Sequence, residues 1–405
     1  MPADVARRVA AARRLAREGG VALYLVGGAV RDLVLRRPVV DIDLVVEIDA
    51  DAFVRQLARA LGAELKLHRR FGTAVLTLAN GEHLDVASAR AEEYERPGAL
   101  PRVRPASITE DLLRRDFTVN AMALEIALAG RPELLDPSGG REDLARKRVR
   151  LLHPRSAFDD ATRAFRAVRY SNRLGFAIEK ESRRWILSAV DSGAADAVSG
   201  DRLRREVALL FSENGRAPAV REMVALGIAR TIHPSLRFDA AVARRIRIAE
   251  RLAASGEDTT WLLYLLTWME EVSAADADEI ATRLNLPRTS GRMVRRWPEV
   301  QRSMVHSATK SAEDVAAVVE RLDLEEDSIL AAAAIALPRA RRRILAAAQS
   351  LGQARLEIRG KDLVAAGVPA GPAVGRALSA TRIARRKGSI RREDELAFAL
   401  KAARS

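Results

Sequence analysis

Two periodicities divide this chain of 405 residues. Up to about residue 140, short β-branched runs alternate with short helical patterns. From Glu142 onward almost every segment repeats its apolar residues at helical spacing. Val21–Val26 and Asp41–Ile48 read as strands flanking a helix that opens after Gly27-Gly28, and Asp51–Leu61 reads as a helix. Thr73–Leu78 and His83–Ala87 flank Asn80-Gly81, a favoured two-residue hairpin turn, so antiparallel pairing is expected there. The polar stretch EEYERPGALPRVRPAS, Glu92–Ser107, has no period and reads as a flexible loop. After Asp136-Pro137-Ser138-Gly139-Gly140 the helical segments are broken at Gly175, Ser192-Gly193, Gly227, Gly256 and Pro287. The expected class is α+β: a head with a small mixed sheet, then an all-helical remainder with no floppy hinge.

Composition sharpens this. Apolar residues make up 48% of the chain but aromatics only 4%, so alanine and leucine must pack the helices. A net charge of +14 points to a polyanionic partner, although an arginine-favouring genome accounts for part of the excess. The absence of cysteine excludes disulfides, thiolate metal sites and cysteine nucleophiles. His68, His83, His153, His233 and His306 are scattered without zinc-ligand spacing. No apolar run approaches the ~20 residues that span a bilayer. The basic N-terminal stretch, stopped by Gly19-Gly20, reads as an amphipathic helix without a signal core, so a cytoplasmic location is expected.

The densest chemistry lies in LVGGAVRDLVLRRPVVDID, residues 25–43. Side chains two apart on a strand share a face, with α-carbons about 6.6 Å apart. Asp41 and Asp43 can therefore share a divalent cation while Ile42 points into the core. Two carboxylates completed by phosphate oxygens suit Mg²⁺. Gly27 and Gly28 let backbone approach a triphosphate, the helix that follows favours anions, and the Arg31-Asp32 step adds a forked cation. Asp85, in HLDVA, is a candidate third carboxylate; capping of a strand end is the competing reading. Arg114-Arg115-Asp116-Phe117-Thr118-Val119-Asn120 could bind phosphate through its arginines and a ribose hydroxyl through Asp116 and Asn120. Asp116 could equally cap a following helix. In DDATRAFRAVRY, Asp160 and Arg163 are i and i+3 neighbours if the segment is one helix, as are Arg163 and Arg166. A carboxylate beside a guanidinium can read a base edge, though such a pair is commonly a surface salt bridge.

Taken together, these motifs resemble the class II tRNA nucleotidyltransferase and bacterial poly(A) polymerase family, within the polymerase β-like nucleotidyltransferases. The resemblance runs from about residue 20 to 210: GGAVRD with DID, RRDFTVNA, DPSGGREDL, DDATRAFRAVRY and DRLRREV follow in the family's order. It implies a catalytic head (1–145), a base-binding helical neck (146–210), a body (211–275) and a tRNA-binding tail (276–405). It makes Asp41 and Asp43 Mg²⁺ ligands and Asp85 a catalytic candidate, with Gly27, Gly28, Arg31, Asp32, Arg114 and Arg115 on the nucleotide. Asp116 and Asn120 would read ribose, and Asp160, Arg163 and Arg166, with Asp159 and Arg169 beside them, the base. Asp159 stands where the family usually has Glu. The tail stretch IRGKDLVAAGVPAGPAVGRAL is similar to a C-terminal element of many bacterial members and is assigned tRNA contact.

The implied activity is addition of CCA to the 3′ end of tRNA from CTP and ATP, with the tRNA bound at its 3′ end and acceptor stem; a monomer is favoured, the oligomeric state being left open by the sequence. The resemblance associates the Glu92–Ser107 loop with the switch to A, which argues against a CC-only enzyme. An A-adding enzyme is the alternative, then a poly(A) polymerase, whose extended basic tail is not matched by Arg385-Arg386-Lys387. A non-catalytic RNA-binding protein explains the charge but not the intact acids. A metal-dependent phosphohydrolase lacks its His/Asp cluster.

Overall fold

A computed structural model describes residues 3–39, 41–68, 72–93, 95, 101–127, 132–254, 260–353, 356–369, 371–386 and 388–403. The chain forms two compact units. One comprises residues 1–238 with 282–286, the other 239–281 with 287–405.

The first unit begins with α1 (Ala3–Glu18), β1 (Leu23–Val26), α2 (Gly28–Val34), β2 (Asp43–Val46) and α3 (Ala50–Leu61). Asp49 caps α3 by accepting from the Asp51 N–H, and Gly62 closes it at φ 61°. Phe53, Val54, Leu57 and Ala58 form its buried stripe. Next come β3 (Glu64–His68), β4 (Thr73–Thr77), β5 (His83–Ser88), β6 (Arg90–Glu93), β7 (Arg102–Pro105), α4 (Ile108–Leu113), β8 (Ala123–Glu125) and β9 (Glu133–Leu135). Seven strands form one sheet in the order β3-β4-β5-β2-β1-β8-β9. It is mixed: β2 runs parallel to β5, pairing Asp43 with Asp85, while the other pairs are antiparallel. Strand β2 is buried through Leu44, Val45 and Val46, as a central strand must be when elements cover both faces.

Two local expectations change. The β4–β5 connection is not a two-residue turn: Thr77 pairs with His83, Gly81 N–H donates to the Leu78 carbonyl, and Gly81 sits at φ 81°. A longer loop with a left-handed glycine does the same work. The stretch from Glu92 is no featureless loop at its ends. Strand β6 pairs antiparallel with β7, Glu92 opposite Val103, as a ribbon beside the main sheet. Residues 94 and 96–100 lie outside the described residues.

Then come α5 (Gly140–Ala145), β10 (Arg148–Val149), α6 (Ser156–Asp159), α7 (Thr162–Leu174), β11 (Ala177–Ile178), α8 (Lys180–Asp191), α9 (Gly200–Ser212) and α10 (Arg216–Ala225). Asp143 ties Thr118 to the segment around β10. Fully buried, its carboxylate accepts from Thr118 Oγ1 at 2.7 Å, Arg148 Nη2 at 2.8 Å and Arg150 Nε at 2.7 Å. The returning segment 282–286 is held through Arg283, whose guanidinium donates to the carbonyls of Thr231, Val198 and Ala195.

The second unit is helical. Its helix Trp261–Trp268 buries every residue from Leu262 to Trp268, so it forms the centre rather than a surface of this unit. Asp327 anchors the start of that helix by accepting from the Thr260 N–H at 2.9 Å. Gly256, an expected break, lies outside the described residues, as does Lys387 of the basic cluster. Among the described residues no helix is long and apolar enough to cross a membrane.

Candidate active site

The site grows from the edge of β2. The strand begins at Asp43, so Asp41 lies just before it and is exposed, whereas Ile42 is buried as expected. The Asp85 N–H donates to the Ile42 carbonyl at 3.1 Å, continuing the ladder and bringing the third carboxylate alongside. Burial pushes the Asp43 carboxyl up, Asp85 and Asp41 push it further, and Arg115 opposes them. Asp85 is also raised, by burial first and then by Asp41, against the opposing pull of His83 and His68. Among the described residues no three His, Cys, Asp or Glu side chains form a cluster that could hold a metal ion. The carboxylates nonetheless crowd one another, and a hard cation completed by phosphate oxygens and water suits that donor set.

Gly27 separates these acids from the rest of the site. It sits at φ 67°, and an added Cβ would lie 2.9 Å from the Arg115 guanidinium and 3.7 Å from Asp43 Oδ2. Its left-handed conformation demands glycine, while a Cβ there would press on the far end of the Arg115 side chain. Arg31 departs from the simple phosphate-fork picture. It is buried, donating from Nε and Nη2 to Asp32 and from Nη1 to Asn120 Oδ1 at 2.8 Å.

A cavity of about 330 Å³ extends from Gly27, Gly28 and Asp43 to the neck. It gathers Arg114, Arg115, Asp116, Asn120, Asp160, Arg163 and Arg166. Asp41, Asp85, Arg31, Asp32, Asp159 and Arg169 do not line it. Asp159 lies 3.6 Å from Arg155, and the buried Arg169 reaches Glu206 at 3.5 Å and Glu213 at 3.2 Å.

The polar groups at the neck end are heavily paired. Asp116 Oδ2 accepts from Arg166 Nε at 2.9 Å and Nη2 at 2.5 Å, and Oδ1 from the Phe117 N–H and Asn120 Nδ2. Burial alone would raise this carboxyl, but Arg166 and Asn120 outweigh it and hold Asp116 below the usual carboxylate range. All four acceptor positions are thus used. Asp116 does not cap a long helix, because only the short 3₁₀ turn Thr118–Asn120 follows.

DDATRAFRAVRY is not one helix. α6 ends at Asp159, Asp160 is extended at φ −135° and ψ 98°, and α7 starts at Thr162. The reason is local: Asp160 Oδ1 accepts from the Thr162 N–H at 3.0 Å and Oγ1 at 2.7 Å, replacing helical geometry with an Asx turn. Asp160 and Arg163 therefore meet at the cavity through a break rather than along a helix face. Arg163 donates to Ser156 Oγ and the Arg114 carbonyl.

Five contributors carried no assignment from sequence. Asp111, fully buried, accepts from both Arg114 and Arg115 and orients them. Glu92, on β6, lines the cavity and accepts from Arg114 Nη1 at 2.6 Å. Tyr170 lines it too, with the guanidiniums of Arg31, Arg166 and Arg169 5.6, 5.5 and 5.2 Å from its ring centroid. Arg202 and Glu206, one turn apart on α9, reach Asp160 and the Arg166/Arg169 pair respectively. Tyr170, Arg202 and Glu206 lay within quoted motifs and Glu92 opens the quoted Glu92–Ser107 stretch, while the signal for Asp111 was its i,i+3 and i,i+4 spacing to Arg114 and Arg115.

A mixed sheet with acids on adjacent parallel strands beside a glycine turn defines a nucleotidyltransferase head, and the family model for the poly A polymerase head domain matches residues 23–150. An A-adding tRNA nucleotidyltransferase of Geobacter sulfurreducens is 44% identical over 214 residues, 53% of this chain and 24% of that protein. A CC-adding tRNA nucleotidyltransferase of Deinococcus radiodurans is 34% identical across 94% of this chain and 89% of its own. The chain belongs to the class II tRNA nucleotidyltransferase family. A solved CCA-adding enzyme in an apo form superposes with TM-score 0.79 at 27% identity, covering 100% of this chain and 96% of that one. The matches to A-adding relatives span less than half of each relative's length.

Proposed function

We propose that the chain adds C, C and A to the 3′ end of tRNA, taking CMP from CTP and AMP from ATP without a nucleic-acid template. The observation that carries this is the meeting of Asp160 and Arg163 at the same cavity that Asp43 lines. Cytosine and adenine both present an exocyclic amine beside a ring-nitrogen acceptor, which a carboxylate–guanidinium pair matches. Uracil and guanine present a carbonyl beside an N–H, and each mismatch leaves a buried polar group unpaired, costing ~1–3 kcal/mol. Arg163 has five N–H donors and makes one bond to each of two protein acceptors, leaving capacity for a base.

Asp41 and Asp43 hold Mg²⁺ in this reading, with Asp85 beside them. When bound, the ion acidifies the RNA 3′-hydroxyl and neutralises charge on the departing pyrophosphate. Arg114 and Arg115, oriented by Asp111, take triphosphate oxygens, and Gly27 gives the backbone clearance. Arg31 and Asp32 support this wall from behind. The ribose hydroxyl falls to the second N–H of Asn120, because Asp116 is already saturated and serves to hold Asn120 and Arg166. Arg166 and Arg169, stacked about Tyr170, keep the base end rigid, and Asp159 flanks it. The neck, 146–210, binds the base, the body and tail, 211–275 and 276–405, hold the tRNA, and a cytoplasmic location is part of the same reading.

A second reading, addition of A alone, is favoured by the 44% identity over 214 residues to an A-adding relative. Radiolabelled tRNA ending at the discriminator, at C or at CC, given CTP and ATP separately and together, separates the two. CCA addition extends the first two substrates with CTP and the third with ATP. Extension of tRNA-CC alone would replace the proposal with the second reading.

A further inference from the structure

We propose that Tyr170 is a further nucleotide-binding residue, its hydroxyl forming a hydrogen bond with a ribose hydroxyl of the incoming nucleotide; the proposal rests on the nucleotide-binding role given to this cavity. Tyr170 stands in the second half of α7 and lines the cavity with Gly28, Asn120 and Arg166. Among the described residues its hydroxyl makes no hydrogen bond, and the oxygen is not sealed from solvent. The groups around it are otherwise well used: Asp116 has its four acceptor positions filled, and Arg31 makes three bonds to Asp32 and Asn120. A tyrosine O–H enclosed by protein ordinarily finds a partner.

The ring, by contrast, is firmly held. Phe117 packs on it with centroids 5.5 Å apart and the planes tilted by 58°. The guanidiniums of Arg31, Arg166 and Arg169 flank it at 5.6, 5.5 and 5.2 Å from the centroid. A phenylalanine would fill the same volume and offer these cations the same π face. Packing therefore accounts for the ring and leaves the oxygen without a structural task. What the site gains is a hydroxyl that can both donate and accept, on a ring with little freedom left to lose when a ligand binds.

The surroundings decide which part of a nucleotide it meets. Arg163, Arg166 and Tyr170 recur at i, i+3 and i+7, so they share one face of α7. Tyr170 lies about 10 Å along the axis from Arg163, beyond the base edge that Arg163 reads. Arg166 holds Asp116, which accepts from Asn120 Nδ2, and Arg31 donates to Asn120 Oδ1. Two of the cations that flank the ring thus lead to Asn120, the sugar reader. The triphosphate arginines, Arg114 and Arg115, are turned to Asp111 instead. A neutral group that donates and accepts matches a ribose hydroxyl, which does both, better than a phosphate, which only accepts.

The test uses the full chain and tRNA ending at the discriminator, with CTP, 2′-deoxy-CTP or 3′-deoxy-CTP supplied singly. For wild type and Tyr170→Phe, kcat and KM are measured with each nucleotide, with tRNA affinity and thermal unfolding alongside. With tRNA ending in CC, the matching ATP series gives the same comparison if the chain adds A alone. Tyr170→Phe keeps the ring, so it is expected to melt and to bind tRNA as wild type does. It should lose about fivefold in kcat/KM with CTP, mainly through a higher KM. It should lose little with the analogue that lacks the contacted hydroxyl, and that arm identifies the hydroxyl as 2′ or 3′. Equal losses with all three nucleotides, or no loss with CTP, would overturn the role of Tyr170. Should the variant be poorly folded, competition between CTP and each analogue in one reaction still decides, because the ratio does not depend on how much enzyme is active. A preference for CTP that shrinks against one analogue supports the proposal, and unchanged preferences overturn it. If wild type used all three nucleotides equally, the sugar-reading role of Asn120 would fall and this proposal with it; wild-type discrimination kept in Tyr170→Phe would remove Tyr170 alone.

Discussion

The two ends of the cavity handle charge in opposite ways. At the sheet edge, Asp43 and Asp85 are raised by burial and by neighbouring acids, with partial relief from Arg115 and the histidines. At the neck, Asp116 is more deeply enclosed yet held low, because Arg166 grips it through two hydrogen bonds. One end leaves its charge only partly compensated, a state that favours a cation; the other is neutralised internally by paired side chains. Removing an acid should therefore damage chemistry at the first end and stability at the second.

The largest effect is expected at the sheet edge. Asp43→Ala should reduce nucleotide incorporation by more than about a hundredfold, the scale on which loss of one transition-state contact is felt. Its melting temperature and tRNA affinity should stay near wild type; normal turnover would remove Asp43 from the chemistry. At the neck, Asp116→Ala strands Arg166 without its carboxylate and frees Asn120. Urea unfolding should show a loss of roughly 2–4 kcal/mol, moderated by the partial exposure of Arg166. The same variant should prefer CTP over dCTP less strongly, since an unpaired 2′-hydroxyl partner enforces that preference. Unchanged stability and unchanged sugar preference would show that the two ends do not differ.

Mg²⁺ sharpens the contrast more gently. It should raise the melting temperature of the wild type by a few degrees, on the order of 1 kcal/mol at saturating ion, and EDTA should reverse this. Asp43→Asn should respond little, which separates binding at the acids from binding elsewhere. The smallest effects are those of pH without metal. Asp43, raised in the folded state, costs stability when ionised, so mild acidification should stabilise the wild type and Asp43→Asn should lose that gain. Asp116, lowered in the folded state, contributes stability above the ordinary carboxylate pKa of about 4, and this contribution is lost as pH falls through its lower folded value. Asp116→Asn should flatten that acid limb.

Local signals carried much of this into the sequence. The spacing of Asp41 and Asp43, the glycine pair and the β-branched runs are short-range features, and they located the sheet edge. Several partners that tune the site are non-local: Arg202 reaches Asp160 across 42 positions and Glu92 reaches Arg114 across 22. Asp111 is the local exception, three and four positions before Arg114 and Arg115. The break at Asp160 was hidden because DDATRAFRAVRY contains no glycine or proline; a side-chain oxygen capturing the Thr162 N–H makes the break instead. β6 and β7 escaped notice because a two-stranded ribbon with polar residues on both faces shows no alternation. Strands β8 and β9 are three residues each, too short for a period to register.

The central claim is that protein side chains alone specify a C, C, A product. The most direct measurement offers tRNA ending at the discriminator to the full chain with all four nucleoside triphosphates at equal concentration and Mg²⁺, then sequences the 3′ ends. The expected products end in CCA and stop there, with UMP and GMP incorporation rare. Ends that stop at CC, runs of A, or frequent UMP and GMP would contradict it.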